Sequence, residues 1–429
     1  MKTVLVKKVV YDMEMYDNSE RIQRALLVGI DTGEYDAESS MKELYELVKS
    51  AGAEPVASLM QKREKPDGAT CVGSGRIEEI KEFCLQNEID FIVFDVELTP
   101  TQIRNIEAET DVRTIDRTML ILDIFAIRAK TNEGKLQVEL AQLKYLMPRL
   151  SGKGKEMSRL GGGVGTRGPG ETKLETDKRH IRRKIEFLKE ELSRMTNRRE
   201  QLRARRKKDG IITVAIVGYT NAGKSTLMNT LTQAGVLSEN KLFATLDPTS
   251  RALKLPNGVS VMMIDTVGLV RRLPHHLVEA FKSTLEEAAL ADIILNVCDA
   301  SSEEFELHLD VTNKLLSELG CNDRPIINVF NKCDLVGNPD DLPMGRDSVR
   351  ICAKSGIGID ELLRAIEKNL PVRLRKFTLL IPFDSASVIA VLRKAGALQS
   401  EEYTANGIKV EAVVEEPLWH LIEHYSINL

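Results

Sequence analysis

The chain has no two cysteines at C-x-x-C spacing. Its six, Cys71, Cys84, Cys298, Cys321, Cys333 and Cys352, stand apart and share no metal-ligand pattern. That argues against a disulfide framework or a cysteine-held metal and leaves small interior or loop residues in a reducing compartment. No apolar run reaches the roughly 20 residues that span a bilayer. The opening MKTVLVKKVVYDMEMYDNSE is broken by charge every few positions, so it does not read as a secretory signal. A cytoplasmic protein without a membrane span is expected. Net charge is scant as well, −4 in total, and by itself points to no polyanionic partner.

What the chain does have is length. At 429 residues it exceeds what one core usually supports, so two or three domains are expected, and 42% hydrophobic with 29% charged residues fit a soluble globular protein. Its charge is unevenly spread. From Lys144 to Lys208, 21 Lys and Arg stand against 8 Asp and Glu, so this stretch carries +13 and the remainder −17. One strongly basic segment inside an acidic chain suggests a local contact with nucleic acid or an acidic surface.

Up to about Ala129, short apolar runs alternate with amphipathic stretches. Ala25–Ile30 and Phe91–Phe94 read as strands, Ser39–Ser50 and Ile77–Gln86 as helices, which together imply a small α/β layer. The turn Gly73 to Arg76 (GSGR) opens a helix and is a candidate anion turn. From Leu136 the pattern becomes heptad-like: Leu136, Leu140, Leu143, Met147 and Leu150, then Leu174, Ile181, Ile185, Leu188, Leu192, Met195 and Leu202. Two such helices can close one apolar seam as an antiparallel hairpin. Between them Ser151 to Gly170 holds eight glycines in twenty residues, too many to stay helical, so a mobile tip is expected. Composition alone also fits a plain linker. Lys153, Lys155, Arg159 and Arg167 punctuate it, however, and Lys178, Arg179, Arg182 and Arg183 follow on the next helix. Cations on a glycine-rich backbone can approach phosphates closely, so these eight are the candidate RNA contacts. With few aromatics in the segment, base stacking is not the expected mode.

A charged linker, Arg205 to Gly210, leads into the strand Ile211–Val217, and GYTNAGKS follows at once. In that strand–loop–helix setting Gly218, Tyr219, Thr220, Asn221, Ala222 and Gly223 form a phosphate loop. Lys224 reaches the β- and γ-phosphates, and the Ser225 hydroxyl meets Mg²⁺ ahead of Thr226. A second strand, Val259–Ile264, ends in Asp265, Thr266, Val267 and Gly268: the aspartate for Mg²⁺, the Gly268 N–H for a γ-phosphate. A third, Pro325–Phe330, ends in Asn331, Lys332, Cys333 and Asp334. The Asp334 carboxylate matches the paired N–H donors on the guanine edge, which adenine lacks, so GTP and GDP rather than adenine nucleotides are expected. Cys352, Ala353 and Lys354 follow another strand and can offer a backbone N–H to guanine O6. In FATLDPTSR both Thr245 and Thr249 are candidates to complete the metal site. Beyond Pro371, a strand Phe377–Ile381, a helix Ala386–Ala395, a hairpin through Asn406-Gly407 and a closing helix form a small βαββα unit without legible chemistry.

The spans ILDIFAIRAKTNEGKLQVELAQLKYLMPRL, GGGVGTRGPGETKLETDKR, GYTNAGKSTLMN, LFATLDPTSR and DTVGLVRRLPHHLVEAFKSTLEE resemble the HflX family of translation-associated GTPases, within the Obg–HflX group, from about Gly29 to Leu370. The resemblance implies that Thr245 is the Mg²⁺ threonine and that Phe243, Ala244, Thr245, Leu246 and Asp247 form a nucleotide-contacting switch. It further implies a large ribosomal subunit, through its RNA, as partner, and separation of stalled ribosomes into subunits. The position after Gly268 is Leu269, where a water-orienting glutamine often sits. Slow intrinsic hydrolysis, stimulated by the partner, is therefore expected. GYTNAGKS is also similar to the phosphate loops of potassium-activated GTPases, which implies K⁺ at Asn221, the plainer reading being an asparagine that shapes the loop; Lys224, Thr245, Gly268 and Asn221 are the candidate catalytic set. His275 and His276 read as structural or partner-facing.

The expected architecture is α/β: a doubly wound P-loop GTPase domain (211–370), preceded by an α/β domain (1–135) with a long antiparallel helical hairpin (136–208) and followed by a small α+β domain (371–429). A monomer is expected. The competing reading is a GTP-gated RNA-binding regulator that does not split ribosomes.

Overall fold

The computed structural model describes residues 21–151, 169–208, 211–232, 242–243, 249–271, 285–321, 323–345, 347–371, 374–395 and 397–427. The chain divides into two units, Met1–Arg117 and Thr118–Leu429. Thr245, Ala244, Leu246, Asp247, Lys153, Lys155, Arg159, Arg167, His275 and His276 lie outside the described residues.

In the first unit, strands β1 (Arg24–Asp31), β2 (Glu54–Lys62), β3 (Phe91–Phe94) and β4 (Arg113–Asp116) form a parallel sheet in the order β2-β1-β3-β4. Helices α1 (Ala37–Ser50), α2 (Ser74–Asn87) and α3 (Pro100–Thr110) are the crossovers. A strand covered on both faces needs a continuous apolar run, and β1 and β3 have one. Leu26, Val28, Ile92 and Phe94 pack with Ile77, Ile80 and Ile106. Asp36 caps α1 by accepting from the Ser39 N–H at 3.0 Å, and Thr99 with Gln102 forms a capping box on α3. Both ends of the GSGR turn bond to their neighbours. The Gly73 N–H donates to Gln61 Oε1 at 2.9 Å, and Arg76 pairs with Glu79 and the Met60 carbonyl. It is a helix start held at Gly73 and Arg76 by its neighbours.

The second unit begins one residue into α4 (Arg117–Arg128), and α5 (Asn132–Leu146) and the 40-residue helix α6 (Pro169–Lys208) follow. Leu143, Ile185 and Leu188 bury the seam between α5 and α6, joined by Leu136, Leu140, Met147 and Ile181. Two cross-pairs, Lys184–Glu139 at 3.2 Å and Arg199–Glu133 at 2.9 Å, flank it. The seam is shorter than the heptads suggest: Leu202 is 46% exposed. The reason is partner length. Helix α5 starts at Asn132, so its first turn already meets Arg199 and nothing on it lies opposite Leu202.

Six strands follow: β5 (Ile212–Gly218), β6 (Thr249–Lys254), β7 (Ser260–Asp265), β8 (Ile293–Asp299), β9 (Ile326–Asn331) and β10 (Ser348–Arg350). Their order is β10-β9-β8-β5-β7-β6, with every pairing parallel except β6 against β7. Helices α7 (Lys224–Thr232), α8 (Phe305–Glu318) and α9 (Ile359–Lys368) pack on it. Val214, Ile216, Met263, Leu295 and Val329 meet Leu227, Met228, Leu362 and Ile366 in the main core, each such side chain contributing roughly 1.5–3 kcal/mol on burial. Last come β11 (Leu374–Ile381), α10 (Ala386–Lys394), β12 (Leu398–Thr404), β13 (Gly407–Glu415) and α11 (Glu416–Ile422). The three strands form an antiparallel sheet in the order β11-β13-β12, the expected βαββα unit. No helix among the described residues is long and apolar enough to cross a membrane. All six cysteines are free, and burial pushes the thiols of Cys71 and Cys298 up to about 12 and that of Cys84 to about 11, as suits inert small residues.

Candidate functional site

Four neighbouring parallel strands, β7, β5, β8 and β9, end at Asp265, Gly218, Asp299 and Asn331, and the carboxyl ends of such strands are where open α/β sheets gather ligands. The loop leaving β5 is tight. A Cβ at Gly218 (φ 151°) would stand 2.1 Å from the Val297 carbonyl oxygen, and one at Gly223 (φ 93°) would stand 2.2 Å from Asn331 Nδ2, so neither position accepts a side chain. Asn221 takes the left-handed region at φ 60° and is exposed at the loop's crest. The loop then turns into α7, whose first residue is Lys224.

Lys224 is buried and donates from Nζ to the Tyr219 carbonyl at 2.8 Å. Burial pushes its pKa down to about 8, while Asp265 pulls the other way. A buried ammonium with so few partners is costly until an anion arrives. The Ser225 hydroxyl donates to Asp265 Oδ2 at 2.9 Å, which sets one hydroxyl and one carboxylate side by side. An all-oxygen pair with few protein ligands suits Mg²⁺, which keeps several waters and takes one or two protein oxygens. Thr249 opens β6 directly opposite Asp265, and its hydroxyl is buried with no hydrogen-bond partner among the described residues. After Asp265 the chain runs on beside the loop. Thr266 Oγ1 donates to the Ile216 carbonyl at 2.7 Å, and a Cβ on Gly268 would stand 2.7 Å from Thr220 Cγ2 and 3.0 Å from Lys224 Nζ. The Gly268 peptide therefore lies against the loop and its lysine.

Asn331 is a strut. Its Nδ2 donates to the Ala222 carbonyl at 2.8 Å, and its Oδ1 accepts the Ala353 N–H at 2.9 Å, tying the phosphate loop to the loop after β10. Asp334 is exposed in a short 3-10 turn, Cys333–Leu335. Of the three amides proposed for a purine oxygen, that of Cys352 donates to Ile357 O and that of Ala353 to Asn331, which among the described residues leaves that of Lys354 as the available donor. Two residues escaped the sequence reading. Asp299, at the end of β8, accepts from Lys332 Nζ at 2.6 Å, and Thr230 on α7 donates to the Ala353 carbonyl at 2.6 Å. The one signal for Asp299 was a carboxylate at the end of an apolar strand run. Phe243 sits at φ 57°, and its ring, 2% exposed, packs on Phe125 of α4. On α6, Arg179, Arg182 and Arg183 are exposed and Lys178 is half-buried.

Among α/β sheets, this grouping of strand ends around one phosphate loop defines a P-loop GTP-binding protein. A family model described as "GTP-binding GTPase N-terminal" matches residues 38–126, one described as "GTP-binding GTPase Middle Region" matches 128–206, and "50S ribosome-binding GTPase" matches 213–332. The GTPase HflX of Caldanaerobacter subterraneus subsp. tengcongensis is 49% identical over 407 residues, 95% of this chain and 94% of that relative. The GTPase HflX of Lacrimispora saccharolytica is 49% identical over 415 residues, 95% of this chain and 97% of the relative. A solved structure described as "crystal structure of SsGBP and GDP complex" is similar at 26% identity, covering 81% of this chain and 98% of that one, with a TM-score of 0.48. The chain belongs to the HflX family of GTPases.

Proposed function

We propose that this GTPase hydrolyses GTP to GDP with Mg²⁺, binds the large ribosomal subunit through its basic hairpin, and separates stalled ribosomes into subunits. The supporting observation is the continuity of α6. Arg179, Arg182 and Arg183 project from it away from the apolar seam, and the same helix ends three residues before β5, the strand that delivers the phosphate loop. Arg203, near its end, pairs with Glu287 at 2.6 Å, and the Ile211 N–H returns to the Arg206 carbonyl at 3.0 Å. A rigid element with an RNA-suited face at one end and the nucleotide loop at the other can couple the two.

In this reading residues 1–135, 136–208, 211–370 and 371–429 are four working parts. Lys224 meets the phosphates, the Gly268 N–H meets the γ-phosphate, and Asp334 with the Lys354 amide selects guanine. Ser225, Asp265 and Thr245 would hold Mg²⁺, which when bound neutralises phosphate charge. Leu269 is 3% exposed and has no group to orient water, so turnover is slow until the large subunit completes the site; K⁺ at Asn221 would add a further positive charge. Mixing the full chain with intact ribosomes and a non-hydrolysable GTP analogue, then sedimenting, tests it. Free subunits support the proposal. Intact ribosomes carrying the protein favour the alternative, a GTP-gated RNA-binding regulator, and no association overturns both.

A further inference from the structure

Among the described residues, three hydrogen bonds pin the stretch that follows Asp265 to the phosphate loop. The Leu269 N–H donates to Gly218 O at 3.1 Å, and the Thr220 N–H donates to Leu269 O at 2.8 Å, making one rung of a parallel bridge between Tyr219 and Leu269. The third bond differs in kind: the Arg271 N–H donates to the phenolic oxygen of Tyr219 at 2.7 Å. Of these three it is the one made through a side chain, so substitution can delete it and leave the other two.

The Tyr219 ring is itself seated. It stacks on His308 of α8, centroids 3.9 Å apart and planes 17° apart. Arg271 also pairs through its guanidinium with Glu304, the residue preceding α8. Burial, and then the Arg271 charge, hold the His308 imidazole below its ordinary range, against Glu304 and Asp299, so a neutral ring lies under the phenol. One tyrosine thus joins three elements. Its carbonyl takes Lys224 Nζ, its hydroxyl takes the chain beyond Leu269, and its ring rests on α8.

We propose that Tyr219 and His308 are positioning residues for hydrolysis: together they fix the Gly268–Arg271 segment at the height where the Gly268 N–H meets the γ-phosphate. This rests on the GTPase reading above. The Gly268 peptide already lies against Thr220 and Lys224, so it has no slack toward the loop. Releasing Arg271 frees this segment only in the outward direction, away from the phosphate. Displacements of the order of 1 Å at a reacting centre cost as much as ~100-fold in rate. GDP has no γ-phosphate, so its binding does not depend on this placement.

The experiment uses the full chain and measures steady-state GTP turnover beside GDP affinity. Tyr219→Phe keeps the ring and loses the hydroxyl; kcat should fall roughly tenfold while the GDP Kd stays within about twofold. His308→Ala should lower kcat similarly, and His308→Phe, which restores a stacking ring, should recover most of it. A Tyr219→Phe chain with unaltered kcat overturns the proposal, and so does one whose GDP affinity falls in step with kcat, because that marks general damage to the loop. Should the unsubstituted chain neither bind nor turn over GTP, the GTPase reading itself fails, a result separate from either.

Discussion

The rings of Phe125 and Phe243 meet edge to face, centroids 4.5 Å apart and planes 77° apart, with exposures of 0% and 2%. Phe243 holds this contact from a left-handed backbone at φ 57°, a region that bulky residues rarely adopt. Ring burial offsets that strain, about 1 kcal/mol or more. The pair fixes a residue two positions before Thr245 to the helix that leads into the hairpin. Phe125→Ala and Phe243→Ala should each destabilise the chain by roughly 3–5 kcal/mol, and the double variant by about 0.5–1.5 kcal/mol less than the two combined. Urea denaturation of the four chains measures this, and strict additivity would mean the rings do not support each other.

Base choice should reverse at a single carboxylate. Asp334→Asn replaces two acceptors with one acceptor and one donor, which suits a purine carrying oxygen at C2. GTP affinity should fall roughly 100-fold or more, the loss of two charge-assisted hydrogen bonds, while xanthosine triphosphate gains. Competition binding reads both, and an unchanged guanine preference would remove the basis for assigning Asp334.

The two threonines can be separated. Thr249 is locked into β6 across from Asp265, whereas Thr245 falls in the stretch that the family pattern assigns to the metal. Thr245→Ala should reduce Mg²⁺-supported turnover by roughly 100-fold, and Thr249→Ala by much less. A greater loss with Thr249→Ala would exchange their roles.

His308 makes the folded chain acid-sensitive in a predictable direction. Its folded pKa lies below the ordinary 6.5, so below pH 6.5 the unfolded chain takes up a proton that the folded chain resists. Stability therefore declines as pH falls through that value and levels off once the folded form also protonates. His308→Phe should lack this share of the decline. Tm measured from pH 7.5 to 5 for both chains checks it, and parallel curves would contradict it.

Ribosome binding should carry the salt signature of phosphate contacts. Replacing Arg179, Arg182 and Arg183 together with alanine should flatten the log affinity–log salt slope by roughly 0.7 to 0.9 for each lost contact. Filter binding to large subunits over a range of KCl supplies the slopes, and an unaltered slope would place the RNA contact elsewhere.

The parts legible in the sequence are those written in consecutive residues. Ile212–Gly218 is apolar but for Thr213 and leads into a glycine loop, so strand, turn and helix follow from local rules, and the heptads of α5 and α6 announce each other. What was hidden depends on separation along the chain. Asp299 meets Lys332 33 positions away, and Tyr219 meets Arg271 52 positions away; no periodicity encodes either. Leu202 misled because a heptad reports which face is apolar, not how long the partner helix is. The GSGR turn shows the same limit: its letters do not report that Gly73 is closely packed, a Cβ there standing 2.9 Å from Arg63 Nη1.

Helix α6 has one more property, which follows from geometry alone. Forty residues at 1.5 Å each make a rod about 60 Å long. Turning it about 5° at the Arg203 end carries the other end roughly 5 Å sideways, more than a water diameter. A change too small to disturb the sheet beneath the nucleotide would thus arrive at the far end as a stroke.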